Sequence, residues 1–132
     1  MTVQFVDTSR FSNLVKHELW PETGYCRKEV TVNEVAIKTY AVGTVLGKVT
    51  ATGKYKIAVE TAVDGSKVAA ALVIADQSIA AATDTKVVVM VKGPAEVSQG
   101  ALALDATYDD ATKKGVVYAS LEAVGINILT TN

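Results

Sequence analysis

Eight consecutive residues, Thr85-Lys86-Val87-Val88-Val89-Met90-Val91-Lys92, leave this chain little choice of local structure. Four of them are valines, stiff at χ1 and better suited to a pleated, half-buried surface than to a helix. Gly93-Pro94 stops the run, because proline cannot donate to a strand ladder. A second run, Val68-Ala69-Ala70-Ala71-Leu72-Val73-Ile74-Ala75, is apolar on both faces. Its alanines would suit a helix. Val73-Ile74 and the flanking turns favour a central strand covered on both sides.

The rest of the chain reads as further strands punctuated by turns. Tyr25–Val32 predicts a strand ending at Asn33-Glu34, with Val35–Tyr40 pairing back onto it. Gly43–Thr50 predicts the next strand, turned by Thr52-Gly53 and returned by Tyr55–Glu60, followed by an Asp64-Gly65 turn. The Gly43–Tyr55 stretch is expected to be the first hairpin of the body and the place where the preceding segment departs. Gln77–Asp84 reads as a loop of small residues, and Ala95–Val97 as a short partner strand. Asp109-Asp110 opens the best helix, since a carboxylate caps free amides and suits the positive end of the dipole. Val117, Leu121 and Val124 share one face of it, Gly125 ends it, and Ile126–Leu129 alternates as a last strand. The expected fold is mostly β (β-rich α+β), a small barrel-like body with one helix near the C-terminus and an N-terminal arm.

Residues 1–24 differ from the rest. Phe5, Val6, Phe11, Leu14, Val15, Leu19 and Trp20 are interleaved with polar residues, and Phe11 to Leu19 has rough helical spacing, ended by Trp20-Pro21. These side chains either pack onto the body or dock on a partner, as tryptophan commonly does. The boundary is expected near Gly24, giving an arm of residues 1–24 and a β-rich body of residues 25–132.

Composition excludes several functions. At 132 residues one domain with a real core is expected. The chain is 49% hydrophobic but only 6% aromatic, so the core is built from small aliphatics, and some apolar surface is expected to be hidden against another subunit. The net charge of −1 and scattered lysines do not attract nucleic acid. No apolar run reaches the length of a membrane span, and no basic leader precedes one.

Nothing supplies chemistry either. Cys26 and His17 stand alone of their kind, on different segments, and make neither a nucleophile pair nor a zinc site. Asp109-Asp110 is explained by capping. Gly43-x-x-x-Gly47 lacks the Lys-Ser/Thr of a phosphate loop. Lys92 sits before Gly93-Pro94 rather than on the tight hairpin tip of a lipoyl or biotinyl carrier. No enzyme activity, cofactor or metal is expected, and assembly is favoured over turnover. A generic binding module, such as a carbohydrate-binding β domain, is the alternative.

The order of these segments carries a resemblance. Gly43-Thr44-Val45-Leu46-Gly47-Lys48-Val49, Gly53-Lys54-Tyr55, Asp64-Gly65, Leu72-Val73-Ile74-Ala75-Asp76, Val87–Val91 with Gly93, and Leu121–Ile126 together resemble the bacteriophage head decoration protein family. So does an Asp-capped Thr-Lys-Lys helix leading to an alternating strand. The resemblance implies a homotrimer on the outer surface of the virion, made in the bacterial host cytoplasm. It would sit at three-fold and quasi-three-fold positions of the expanded head, stabilising it against internal DNA pressure. The implied partners are the major capsid protein of the same phage and further copies of the chain, with no nucleic acid and no membrane. It also implies an N-terminal arm that docks on the shell. Phe5, Val6, Phe11, Leu14, Val15, Leu19 and Trp20 are the expected docking residues. Ala69, Ala70, Ala71, Ser78 and Ile79 are the candidate trimer contacts. The arm is richer in aromatics than the polar, Pro- and Gly-rich arm of the lambda member, so it is also a candidate to fold against the trimer.

Overall fold

Residues 14–20 and 24–130 are described by a computed structural model of the chain. Its strands are β1 (Val15–Glu18), β2 (Arg27–Val32), β3 (Lys38–Tyr40), β4 (Val45–Lys48), β5 (Tyr55–Ile57), β6 (Ala69–Val73), β7 (Gln77–Ile79), β8 (Thr85–Met90), β9 (Ala95–Ser98) and β10 (Ile126–Leu129). Helix α1 spans Ala111–Ala123. The chain is thus mostly strand with one helix near the C-terminus among the described residues, as its turn spacing predicts.

Five strands close into a barrel in the order β2-β5-β4-β6-β8. Period-two alternation fills it. Val30, Val32, Leu46, Ala71, Val73, Val87 and Val89 point inward and are buried together. The same strands send Val45, Leu72 and Met90 outward into a second cluster. That cluster is completed by Val117 and Leu121 of α1, Leu14 and Val15 at β1, Val97 of β9 and Ile126 of β10. β6 is therefore covered on both faces, which is why its sequence is apolar throughout. A register shift between Leu46 and Gly47 sends Ala69 outward and Ala71 inward, although both share one parity. Gly47 is required at that point: a Cβ there would lie 1.7 Å from the Ser66 carbonyl oxygen.

Several expectations are corrected. β3 does not pair with β2; it pairs antiparallel with β7, in the stretch read as a loop. Together they close the barrel mouth, with Tyr40 and Ile79 fully buried against its interior. Two donors converge there, and one carboxylate accepts from both. Glu34 is buried, and its Oε2 accepts hydrogen bonds from the Tyr40 hydroxyl and, at 2.8 Å, from the Ile57 N–H. Burial, then the adjacent Glu34 carboxylate, push the Tyr40 phenol well above its usual range. β4 and β5 do form the expected hairpin, but it is part of the barrel wall and does not mark where the N-terminal segment departs.

The helix begins as predicted, with the Asp110 carboxylate accepting from the Lys113 N–H at 2.8 Å. Val117 and Leu121 are buried, but Val124 is exposed, because the helix has ended and Gly125 (φ +91°) turns the chain away. Of the expected helix over residues 11–19, Leu14 is helical and Val15–Glu18 is strand β1.

Candidate functional site

β1, β9 and β10 form an open sheet beside the barrel, in that order. β1 runs antiparallel to β9 and β10 runs parallel to it. The chain enters this sheet at Val15, directly after Leu14, and both side chains are buried in the outer cluster. These two side chains therefore pack onto the body. Phe5, Val6 and Phe11 lie outside the described residues.

The end of β1 is clamped. Glu18 is almost wholly buried and pairs with Arg27 at the start of β2, through Nη2 to Oε1 and through Nε to Oε2 at 3.2 Å. This two-bond fork is the strong geometry for a guanidinium and a carboxylate. One residue on, the Leu19 N–H donates to the Pro94 carbonyl at 2.9 Å. The buried Cys26 thiol lies 3.6 Å from that carbonyl and 3.8 Å from the carbonyl of Leu19. Cys26 is thus a packed, weakly bonded thiol between two backbone segments.

Beyond the clamp the chain turns outward. Trp20 has φ +50°, a left-handed conformation that costs energy in a large residue. Its side chain is 55% exposed. It meets Tyr25 edge-on, with ring centroids 5.2 Å apart and planes at 80°. The Lys92 ammonium lies 4.2 Å from the centroid of the Tyr25 ring. Lys92 is brought here by a backbone contact that only glycines permit. A Cβ on Gly93 would lie 1.8 Å from the Gly125 carbonyl oxygen. The Gly93 N–H donates to the Val124 carbonyl at 2.9 Å, so the helix end is tied to the β8–β9 connection.

The result is an exposed aromatic pair with a cation beside it, standing on a rigid clamp at the root of the N-terminal segment. Such a surface can anchor a protein partner through a buried tryptophan. Of the expected docking residues, Trp20 is exposed and Leu19 is half-buried, while Leu14 and Val15 are interior. Tyr25, Lys92 and the Glu18–Arg27 clamp were missed. They join residues distant in sequence, and only the lone tryptophan hinted at the place.

The candidate trimer contacts divide in the same way. Ala69, Ala71 and Ile79 are buried inside the chain, which leaves Ala70 and Ser78 with surface to offer. The exposed apolar surface lies further along. Val35 is 90% and Ile37 75% exposed, and Ala80, Ala81 and Ala82 beside them are exposed too. The two segments touch through the Glu34–Ala81 bridge and an Ala82 N–H donated to the Glu34 carbonyl at 2.7 Å.

Among the described residues no group of three His, Cys, Asp or Glu side chains is arranged to hold a metal ion. Residues 8–126 match the family model described as bacteriophage lambda head decoration protein D. No curated protein sequence matches the chain.

Proposed function

The chain belongs to the bacteriophage lambda head decoration protein family, a family of structural proteins on the outer surface of the phage capsid, and we propose that it acts there as a trimeric cement. In this reading three copies sit at each three-fold and quasi-three-fold position of the expanded head, bridge neighbouring capsomers and hold them against the pressure of packaged DNA. The observation that carries the reading is the family match over residues 8–126, which takes in the barrel, the helix and strands β1 and β9 of the clamped sheet.

The geometry suggests how the work is divided. Residues 1–13 are the docking arm, and the body begins at Leu14, because Leu14, Val15 and Glu18 are built into it. Thirteen extended residues reach about 45 Å, enough to leave one trimer and touch a neighbouring subunit of the shell. Phe5, Val6 and Phe11 are the arm's apolar anchors, and Trp20 with Tyr25 forms a fixed second contact at its root. Trimer formation covers the exposed Val35, Ile37 and Ala80–Ala82 surface, with Ala70 and Ser78 as further contacts. Three arms on one trimer act at high effective concentration, so individually modest contacts add up to tight attachment.

Deleting Met1–Asn13 tests the arm. The truncated protein is expected to stay folded and trimeric by light scattering, at three times its own reduced mass, while losing attachment to expanded heads; the full chain should appear at three times 13.9 kDa. Full decoration by the truncated protein would remove the arm from the mechanism. A monomer at high concentration for the full chain would overturn the trimer.

A further inference from the structure

The barrel is nearly open at one place. β2 and β5 run parallel but are joined only at Val32–Tyr55, with the Asn33 N–H donating to the Tyr55 carbonyl at 3.0 Å. Upstream of that point β2 keeps its full antiparallel partner, β8, on one side. On the other side Lys28 to Thr31 have no strand partner among the described residues. Lys28 shows the effect: it has the parity of Val30 and Val32, yet it is exposed, because β5 has diverged from its strand.

This gap lies in a surface groove with a concentrated charge. Lys28, Lys48, Lys54 and Lys86 line it, in a chain whose net charge is −1. Lys28 and Lys48 make no ion pair among the described residues. Lys86 donates to the Thr31 hydroxyl at 2.8 Å, and its charge also acts on the Asp84 carboxylate without a direct ion pair. Lys54 pairs with Asp84 at 3.0 Å, and Asp84 is further held by the Asn33 amide at 2.7 Å. The Asn33 hydrogen bond, then Lys54, keep the Asp84 carboxyl below its ordinary range, so it stays ionised and its pairing with Lys54 persists. Glu29 is the other acid in the groove.

We propose that this groove is a second docking surface, which takes an acidic polypeptide segment in extended conformation along the open edge of β2. An extended segment supplies the backbone groups the edge lacks, and its alternate side chains reach the lysines. Among the described residues Tyr55 is the only aromatic lining the groove, where single-strand binding needs a succession of stacking faces. Spaced carboxylates on a strand suit the pattern better. Under the reading given above, the segment belongs to the shell, and the inference rests on that reading for the partner's identity alone.

The experiment uses the full chain and an alternating Thr-Glu peptide of about eight residues, a common strand length. Amide chemical shifts followed by NMR at low salt are expected to move saturably at Lys28–Thr31 and Thr52–Tyr55. Raising ionic strength to about 0.15 M is expected to weaken binding several-fold, since exposed charges are screened. Lys28→Glu with Lys48→Glu should abolish the shifts while leaving the remaining spectrum folded. Shifts scattered over the surface, or binding that survives the charge reversal, would overturn the groove. Tighter binding of a single-stranded oligonucleotide than of the peptide would overturn the choice of partner class. On expanded heads the same double variant should lower occupancy; full occupancy there, with peptide binding lost, would overturn the shell as partner. Failure of the unaltered chain to decorate heads would instead remove the functional reading and leave the groove's peptide binding standing.

Discussion

The barrel and the three-stranded sheet beside it use the same strands-and-valine chemistry for opposite ends. The barrel closes on itself through five strands, and its one thin seam is patched by the Glu34 carboxylate on the Ile57 N–H. Its interior is mostly aliphatic, capped by Tyr40 and Ile79. The sheet stays open, with β1 and β10 at the edges of the described strands. Its fixed points are polar or backbone contacts: Glu18 on Arg27, Leu19 on Pro94, Gly93 on Gly125. Closure removes the edges that invite another chain, and openness keeps them. The contrast assigns stability to the closed part of the barrel, and recognition to the open sheet and to the one stretch of β2, Lys28–Thr31, that closure leaves unpaired.

The sharpest break of that contrast is Leu46→Ala in the barrel interior. A buried leucine truncated in a packed core costs about 2–5 kcal/mol. Denaturant unfolding should show the loss as a cooperative drop in midpoint with unchanged slope. A smaller, local effect is expected from Arg27→Ala. It leaves the Glu18 carboxylate buried without its partner, at about 1–3 kcal/mol given that Arg27 is part-exposed. Hydrogen exchange should speed up at Val15–Glu18 and stay slow at Val87–Val89. Equal loss of protection in both would mean that sheet and barrel are one cooperative unit.

Trp20→Ala should leave stability within about 0.5 kcal/mol, as expected for an exposed side chain. Its effect belongs to head attachment, which should weaken more than for Cys26→Ser; equal effects would take Trp20 off the docking surface. The smallest effect concerns pH. Asp64 accepts from the Ser66 side chain at 2.6 Å and pairs with Lys56 at 2.9 Å. These partners, Ser66 first, hold its carboxyl far below the ordinary value. The folded-state value lies below the unfolded one, so the stabilisation is complete above about pH 4 and fades as pH falls through the folded-state value. In Asp64→Asn the melting temperature should fall less steeply with pH below about pH 5 than in the unaltered chain. Identical slopes would show that the pair does not contribute.

Sequence reasoning reached the barrel because alternation reports which face is buried. Val30/Val32, Val87/Val89 and Ala71/Val73 all follow it. It failed at β1, where the buried residues are Val15 and Glu18, three apart. That spacing mimics a helix turn, and it arises from a register shift between Val15 and His17. It also failed at β3 and β7, strands of three residues whose partners lie far apart in the chain. No local pattern marks such a pairing. The alanines of β6 were legible as apolar on both faces but not as to what covers them: the covering elements, α1 and the barrel interior, belong to the same chain. At the docking surface only Trp20 was legible, since the charge and ring contacts that define it are made on folding.

The order of the open sheet has a topological consequence. β9 pairs Val97 with Val15 on one side and with Ile128 on the other. The first and last described strands are therefore antiparallel, two strand spacings apart, about 10 Å. The start of β1 and the finish of β10 face the same way. The backbone between them is close to a ring with one short gap. A linker of a few residues could close that gap, and new ends could be cut at the Thr52-Gly53 turn without severing a barrel strand. The start of β1 and the finish of β10 therefore open on the same side of the body.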